Sequence, residues 1–469
     1  MAAAVDHPGD ERAVFLTARK RLTYVVLQHD AASYRQKGMH TMTGSSPWRD
    51  LFYGTDTLMP TSEGLIPRSY LNNAATPQIA KPVIEDFLDR LPYYAYDNES
   101  NAISRELREA YNEVREVALR YIGGETERET VIFSPTTTTA INLLSHIMLQ
   151  YDPNQVILTT RLEHMANFLP WRERFETALV RTTPCGNVDM DDYREKLERY
   201  RGKIKLVAVT GASNITGVIP PFYEMARLAH EYGARLFLDA VQLVQHKPFS
   251  MKPHDDPEHI DFLSFDGHKC YTGQSGGVLV GPKRFLDQWQ PMIYGAGMTD
   301  FVSDSRIVYR DAPERYEAGY PDFLGILSMG NALRFLKDVG IRRIAGYESE
   351  LYMYLVGKLR EIPGMILYGA GDPACHTPFV AFNLKGVPYQ TLAGRLGDGY
   401  GIAVASGTSG ANLYVQDLLG LTDSEAYALF RSGRNYGIVR ASIGMFNSPG
   451  DADRLICALR NIACSTQSH

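Results

Sequence analysis

The stretch DFLSFDGHKCYTGQSGGVLVG, residues 261–281, decides how this chain is read. The apolar run from Phe262 to Phe265 has the length of a buried strand, and a second apolar run opens at Gly276 and Gly277. Between them stand Asp266, His268 and Lys269. A lysine placed between two buried strands is either paired with a carboxylate or is a desolvated amine of lowered pKa, suited to nucleophilic work.

Working outward, the same pattern recurs. Short apolar runs alternate with amphipathic stretches from residue 63 onward, the sign of strand–helix–strand units on a mostly parallel sheet. The clearest unit is KLVAVTG (205–211), then PPFYEMARLAHEYG (220–233), then RLFLDAV (235–241). Its middle part places Phe222, Met225, Ala226 and Ala229 on one helical face, with prolines before it and Gly233 after it. TVIF (130–133), QVILTT (155–160), DFLSF (261–265) and GGVLVG (276–281) complete the expected strands. Beyond residue 325, LGILSMGNALRFLKDVG, ESELYMYLVGKLREI, FVAFNLKG, IVRASIGMF and DADRLICALRNIA predict a smaller α+β domain. The expected organisation is an N-terminal extension (1–62) with RLTYVVLQ as a short element, a large α/β domain (63–325) and a small C-terminal domain (326–469).

Composition narrows the function. A chain of 469 residues with 44% hydrophobic and 22% charged residues is of ordinary globular type. A formal net charge of −6 gives no basic footprint for nucleic acid or anionic membrane, and no apolar run has the length of a membrane span. The first residues lack a signal-peptide pattern, and the five cysteines are scattered without a CxxC pair. A cytoplasmic protein with free thiols and no metal site is expected.

In open α/β sheets, ligands bind at the carboxyl ends of the strands, and the informative polar residues all fall there. SPTTTTAINLL (134–144) sets hydroxyls and free backbone N–H groups at a helix N-terminus, an anion site or a plain cap. EHMANFLPW (163–171) puts His164 and Asn167 after a strand, and SNITG (213–217) puts Asn214 before a glycine turn. DAVQ (239–242) ends a strand in Asp239, where an isolated carboxylate is costly without a cation, and supplies Gln242. A phosphate cradle, a flat histidine, a strand-end aspartate, a glutamine and a lysine together suit pyridoxal 5'-phosphate.

The order and spacing of YLNNAAT (70–76), the threonine run, EHMANFLPW, SNITG, DAVQ, GHK (267–269), RYEAGYPD (315–322) and VRASIGMFN (439–447) resemble the class V aminotransferase family of fold type I pyridoxal-phosphate enzymes. The likeness is greatest to its cysteine desulfurase-like and isopenicillin N epimerase-like branch, and covers about residues 68 to 463. The resemblance implies Lys269 as the cofactor-bearing lysine, with His164 stacked on the ring and Asp239 at its nitrogen as further catalytic residues. It implies Gln242 at the phenolic oxygen, and Thr137, Thr138, His268 and Tyr320 near the phosphate, Tyr320 from the EAGYP segment of a dimer partner. Asn214 would contact cofactor and substrate, and Asn73, Asn101 and Arg440 the substrate, with Arg440 clamping its carboxylate. A homodimer acting on a small amino-acid substrate is implied.

The departures bear on the reaction. Desulfurases of this branch carry a catalytic cysteine on the loop resembling GIAVASGTSGANLYV (401–415), where this chain has Gly410, with Ala405 in place of the usual arginine. Asp266 replaces a small hydroxyl residue near the phosphate, and Tyr320 a threonine. YDNESNAIS (96–104) lacks the expected histidines and leaves Asn98 and Asn101 as pocket candidates. The leading expectation is a C–S β-lyase acting on an S-substituted cysteine conjugate of secondary metabolism, such as antibiotic biosynthesis, with room left by Gly410 and Ala405. The alternatives are decarboxylation-coupled deamination, transamination or epimerisation of a similar conjugate. A non-catalytic accessory subunit fits less well with Lys269, Asp239 and Arg440 retained together, and a nicotinamide enzyme lacks its early GxGxxG.

Overall fold

The computed structural model describes residues 44–62, 64–93 and 101–467, so RLTYVVLQ and Asn98 lie outside the described residues. Seven strands form the central sheet: β1 (Glu129–Ser134), β2 (Val156–Thr160), β3 (Glu176–Val180), β4 (Ile204–Thr210), β5 (Arg235–Asp239), β6 (Phe262–Asp266) and β7 (Gly277–Pro282). Their spatial order is β1-β7-β6-β5-β4-β2-β3. The pairs β6–β5, β5–β4, β4–β2 and β2–β3 are parallel, and β7 is antiparallel to both β1 and β6. Residues 267–276 are too few for the crossover a parallel neighbour needs, so the chain turns back on itself there.

The strands are apolar throughout because both faces are covered. On β1, Val131 and Phe133 enter one core cluster while Ile132 enters the other. The second face is covered by α1 (Thr137–Tyr151), through Ala140, Ile141, Leu144, Ile147 and Met148. On the first face lie α2 (Phe222–Glu231), with Met225, Ala226 and Ala229 buried, and α3 (Phe323–Val339), whose Ile326, Leu333 and Leu336 are buried. Each fully buried Ile, Leu or Met among them contributes roughly 1.5–3 kcal/mol over exposure, and each alanine less.

The smaller sheet is antiparallel, with β8 (Met365–Tyr368), β9 (Phe379–Leu384), β10 (Ala405–Gly407) and β11 (Ile438–Ser442) in the order β8-β9-β11-β10. It is accompanied by α4 (Ile341–Arg360) and α5 (Pro449–Gln467), which pack on each other.

The segment 44–62, read from sequence as part of an uninformative extension, is anchored in the core. Trp48 packs edge-on to Tyr347, and Phe52 sits among Tyr271, Phe335 and Phe446. Ser46 Oγ donates to Met445 O at 2.6 Å, and Arg49 pairs with the buried Asp451 at 3.2 Å. Single large anchors of this kind carry no periodicity, which is why the sequence did not announce them. The chain then lies beside residues 402–403 through Ser69 and Tyr70 and bonds to Ser442 through Leu71, delivering residues 72–75 between the two sheets.

Candidate active site

The carboxyl ends of β2, β4, β5 and β6 point to one place, where β11 of the small sheet meets them. Lys269 closes the short turn Gly267–Lys269 after β6. Its Nζ donates to Ala74 O at 3.0 Å and to Ala75 O, both delivered by the N-terminal arm. Burial, aided by the positive charge of Arg440, pulls the amine down to about 8, against the opposing pull of Asp266 and Asp239. Gln242 shares the same acceptor, with Nε2 2.8 Å from Ala74 O.

Asp239, the last residue of β5, is buried and accepts Val241 N on Oδ1 at 3.1 Å. Burial raises its carboxyl to about 6, with Lys269 working the other way. His164 Nδ1 accepts Ala166 N at 3.1 Å, which leaves the ring proton of the neutral form on Nε2. Partial desolvation, then the charges of Lys269 and Arg440, hold this imidazole below the ordinary histidine pKa.

Arg440 extends from β11, buried, with Nη1 on Asn214 O at 2.7 Å and Nη2 on Asn72 Oδ1 at 2.9 Å. Burial lowers its pKa to about 10, so it stays a cation at neutral pH. Asn72, not the neighbouring Asn73, meets the guanidinium. The amide nitrogen of Asn73 donates to Ser442 O and Asn447 Oδ1, at 2.8 and 2.9 Å, while its buried Oδ1 makes no hydrogen bond.

The threonine run opens α1 as expected, with Thr136 as its cap, accepting Thr139 N at 3.2 Å. The anion position at that helix end, however, holds the carboxylate of Asp266. Oδ2 accepts Thr137 N at 3.1 Å, while Oδ1 accepts His268 N at 3.1 Å and lies 2.6 Å from His268 Nδ1. Ser275 Oγ is 3.3 Å from Oδ1 but donates at 2.9 Å to Pro135 O. Burial works to raise the Asp266 carboxyl, but these donors outweigh it and the net shift is downward. Gly277 opposite has no room for a side chain: a Cβ there would fall 2.2 Å from the Thr136 carbonyl carbon. Thr138 is exposed on the first turn.

The loop that resembles the desulfurase cysteine loop is bound down. Gly410 O accepts Met165 N at 2.7 Å, Ser409 O accepts Asn214 Nδ2 at 2.8 Å, and Asp417 beyond the loop takes Arg161 at 2.7 Å. Gly410 has φ +77°, and a Cβ there would fall 2.3 Å from His164 Nε2. The space expected at Gly410 for a bulky substituent is therefore filled by His164. Ala405 is directly opposite Arg440 on the neighbouring strand.

Three further expected residues have other surroundings within the single chain. Asn167 accepts from Trp171 Nε1 and donates to Glu163, so its role is to brace the loop. Asn101 caps the helix Ala102–Ile122, accepting Ser104 N. Tyr320 is 67% exposed. Glu163, adjacent to His164, gave no signal in sequence. It is buried, held by Thr160, Asn167 and Thr210 N, and raised to about 8 by burial, with Asp239 adding to the rise.

A doubly covered parallel sheet with a strand-end aspartate, a desolvated lysine and a buried arginine at one point defines a large group of cofactor-dependent enzymes. The chain belongs to the class V aminotransferase family: that family's model, "Aminotransferase class-V", matches residues 69–455. A protein of Halalkalibacterium halodurans named "Probable cysteine desulfurase" is 32% identical over 401 residues, 83% of this chain and 91% of that protein. A "Cysteine desulfurase" of Escherichia coli (strain K12 / DH10B) is 30% identical over 410 residues, 85% and 94% of the two chains. The apo structure of a cysteine desulfurase from Thermococcus onnurineus NA1 superposes with a TM-score of 0.75 at 27% identity, over 85% of this chain and 95% of that one.

The cofactor of the family is pyridoxal 5'-phosphate, and the residues present fit it. Thr137 Oγ1, Asn214 Oδ1, Gln242 Oε1 and Arg440 Nε are buried polar atoms without hydrogen-bond partners, all on residues of this site. Such groups are costly to leave unpaired, and a polar ligand would satisfy them. Among the described residues no helix is long and apolar enough to cross a membrane.

Proposed function

We propose that the enzyme cleaves the Cβ–S bond of an S-substituted L-cysteine by β-elimination. The observation that carries this reading is the 407–411 loop: it has no thiol and is tied to the large domain through Gly410 and Ser409. Cys270, next to Lys269, is wholly buried and its thiol is pushed far up by that burial, so it is no substitute acceptor. The other four cysteines are exposed and outside the loop. A desulfurase route through a protein persulfide has no acceptor here, whereas elimination needs none.

Pyridoxal phosphate, when bound, supplies an electron sink for the pair left at Cα. Lys269 is the residue that carries it, Asp239 the partner of its ring nitrogen, His164 its stacking ring and Gln242 the contact for its phenolic oxygen. Thr137, Thr138 and His268 are the phosphate donors. Arg440, with its free Nε, and Asn72 hold the substrate α-carboxylate, and Asn214 braces that pair. The neutral Lys269 amine takes the Cα proton; the Cβ–S electrons leave with sulfur, which is protonated to the thiol. The three-carbon remainder leaves, after hydrolysis, as pyruvate and ammonia.

The active unit in this reading is a homodimer. Tyr294, Phe301, Val302, Ile307 and Tyr320 are exposed apolar residues around the hairpin 299–309, a surface suited to a second copy. Sedimentation should give twice the chain mass; a monomer would refute this part.

The reaction is tested by incubating holoenzyme with S-alkyl-L-cysteine. Equal amounts of thiol and pyruvate, lost in Lys269→Ala, are expected. Carbon dioxide with an aldehyde would select decarboxylating deamination instead.

A further inference from the structure

We propose that Glu129, His254 and His259 form a divalent-cation site of the zinc type, at the end of the sheet opposite the catalytic lysine. Glu129 begins β1, whose other end leads to the Thr137 helix, and both histidines lie on the loop that precedes β6. The site is therefore separated from Lys269 by the length of the sheet.

Three potential ligand atoms converge there. Glu129 Oε1, His254 Nε2 and His259 Nε2 all lie within 4.8 Å of one another. Glu129 Oε1 is 2.7 Å from His254 Nε2 and 3.8 Å from His259 Nε2. Zinc bonds of about 2.0–2.2 Å to nitrogen and oxygen place tetrahedral ligand atoms about 3.3 Å apart, between those two separations.

All three atoms are buried, and none makes a hydrogen bond. The short approach to His254 thus lacks the direction of a hydrogen bond, as expected of atoms aimed at a common third point. The Glu129 and His259 side chains are 0% and 3% exposed, so water is a poor substitute partner.

The tautomer of His259 strengthens the case. Its Nδ1 is 2.7 Å from Lys252 O, an acceptor only, so Nδ1 carries the proton and the neutral ring turns a bare lone pair of Nε2 toward the carboxylate. Lone pair facing carboxylate is repulsive unless a proton or a metal cation lies between, and 3.8 Å is too long for a shared proton. This is also the arrangement in which a metal-bound histidine is oriented by a carbonyl behind it. The two imidazoles are near-stacked, with centroids 4.1 Å apart at 33°, which disfavours charging both by protonation.

The loop is built to hold this geometry. Lys252 takes a left-handed backbone, φ +62°, to present its carbonyl, a strained choice for a non-glycine residue. Met251 N bonds to Ile122 O, Ile260 N to Met251 O and His259 N to Asp256 O. Two neutral imidazoles and one carboxylate, with a fourth position open past the partly exposed His254, are a borderline-soft donor set that suits zinc or cobalt rather than calcium or magnesium.

The test uses holoenzyme freed of metal by a chelator, then titrated with Co2+ and with Zn2+. One Co2+ per chain should bind with the visible ligand-field bands of a low-coordinate site, be displaced by Zn2+, and raise the unfolding temperature. Those signals should vanish in Glu129→Gln and in His254→Ala, with the cofactor absorption kept. If Glu129→Gln does not fold, the more exposed His254→Ala carries the test. Binding only at millimolar metal, or equal binding by His254→Ala, would overturn the proposal.

Discussion

The carboxylate of Asp266 stands 2.6 Å from His268 Nδ1 and, through its other oxygen, 3.1 Å from Thr137 N. The helix N-terminus that the resemblance assigns to the cofactor phosphate thus carries a built-in anion. A carboxylate and a phosphate dianion repel each other at such a distance unless one takes up a proton. Asp266 is held ionised before binding, so cofactor binding near neutral pH should draw a proton from solution. Calorimetry in several buffers reads this directly: the observed enthalpy should rise with the buffer's ionisation enthalpy. Asp266→Ser should abolish that slope and tighten binding about tenfold, or ~1.4 kcal/mol. Weaker binding in Asp266→Ser would show that the carboxylate helps rather than competes.

Lys269 owes its lowered pKa to burial first and to Arg440 second. The neutral amine is the nucleophile, so reactivity rises as pH passes upward through the pKa. Borohydride-trapped labelling of the apoprotein's Lys269 by pyridoxal should be half-maximal near pH 8, not near the ordinary lysine value of about 10.4. Arg440→Gln removes a cation and should move the midpoint up. Asp239→Asn removes a carboxylate and should move it down. A midpoint unaffected by both changes would remove the electrostatic account.

Gly410 and His164 occupy each other's space. Gly410→Ala or Gly410→Cys must bear a left-handed backbone, costing about 1 kcal/mol, and must displace the imidazole. Both variants should weaken cofactor binding and release His164 from its depressed pKa, measurable by NMR titration. Installing the cysteine alone should not restore a persulfide route. A Gly410→Cys protein that binds cofactor normally and accumulates persulfide would contradict this.

The strands covered on both faces were legible because their burial is continuous: β1, β2, β4, β5, β6 and β7 are apolar runs. The edge strand β3 was missed because Glu176 and its neighbours alternate in exposure, and β8 because it is only partly buried. Sequence identified the strand ends but not which of two adjacent residues meets a given partner. Asn72 rather than Asn73 meets Arg440, and Glu163 lies buried beside the more obvious His164. The carbonyls that hold Lys269 come from Ala74 and Ala75, far away in the chain, and no local pattern reports such a contact. The same holds for Glu129 with His254 and His259, which share no element.

The proposed elimination of the C–S bond rests on a loop that offers no thiol. The most direct test is the fate of the carbon skeleton when holoenzyme meets L-cysteine with a reductant present. A desulfurase leaves alanine, its sulfur passing through a protein persulfide; a lyase leaves pyruvate, ammonia and sulfide. Pyruvate without alanine is expected, and alanine formed in step with sulfide would contradict it.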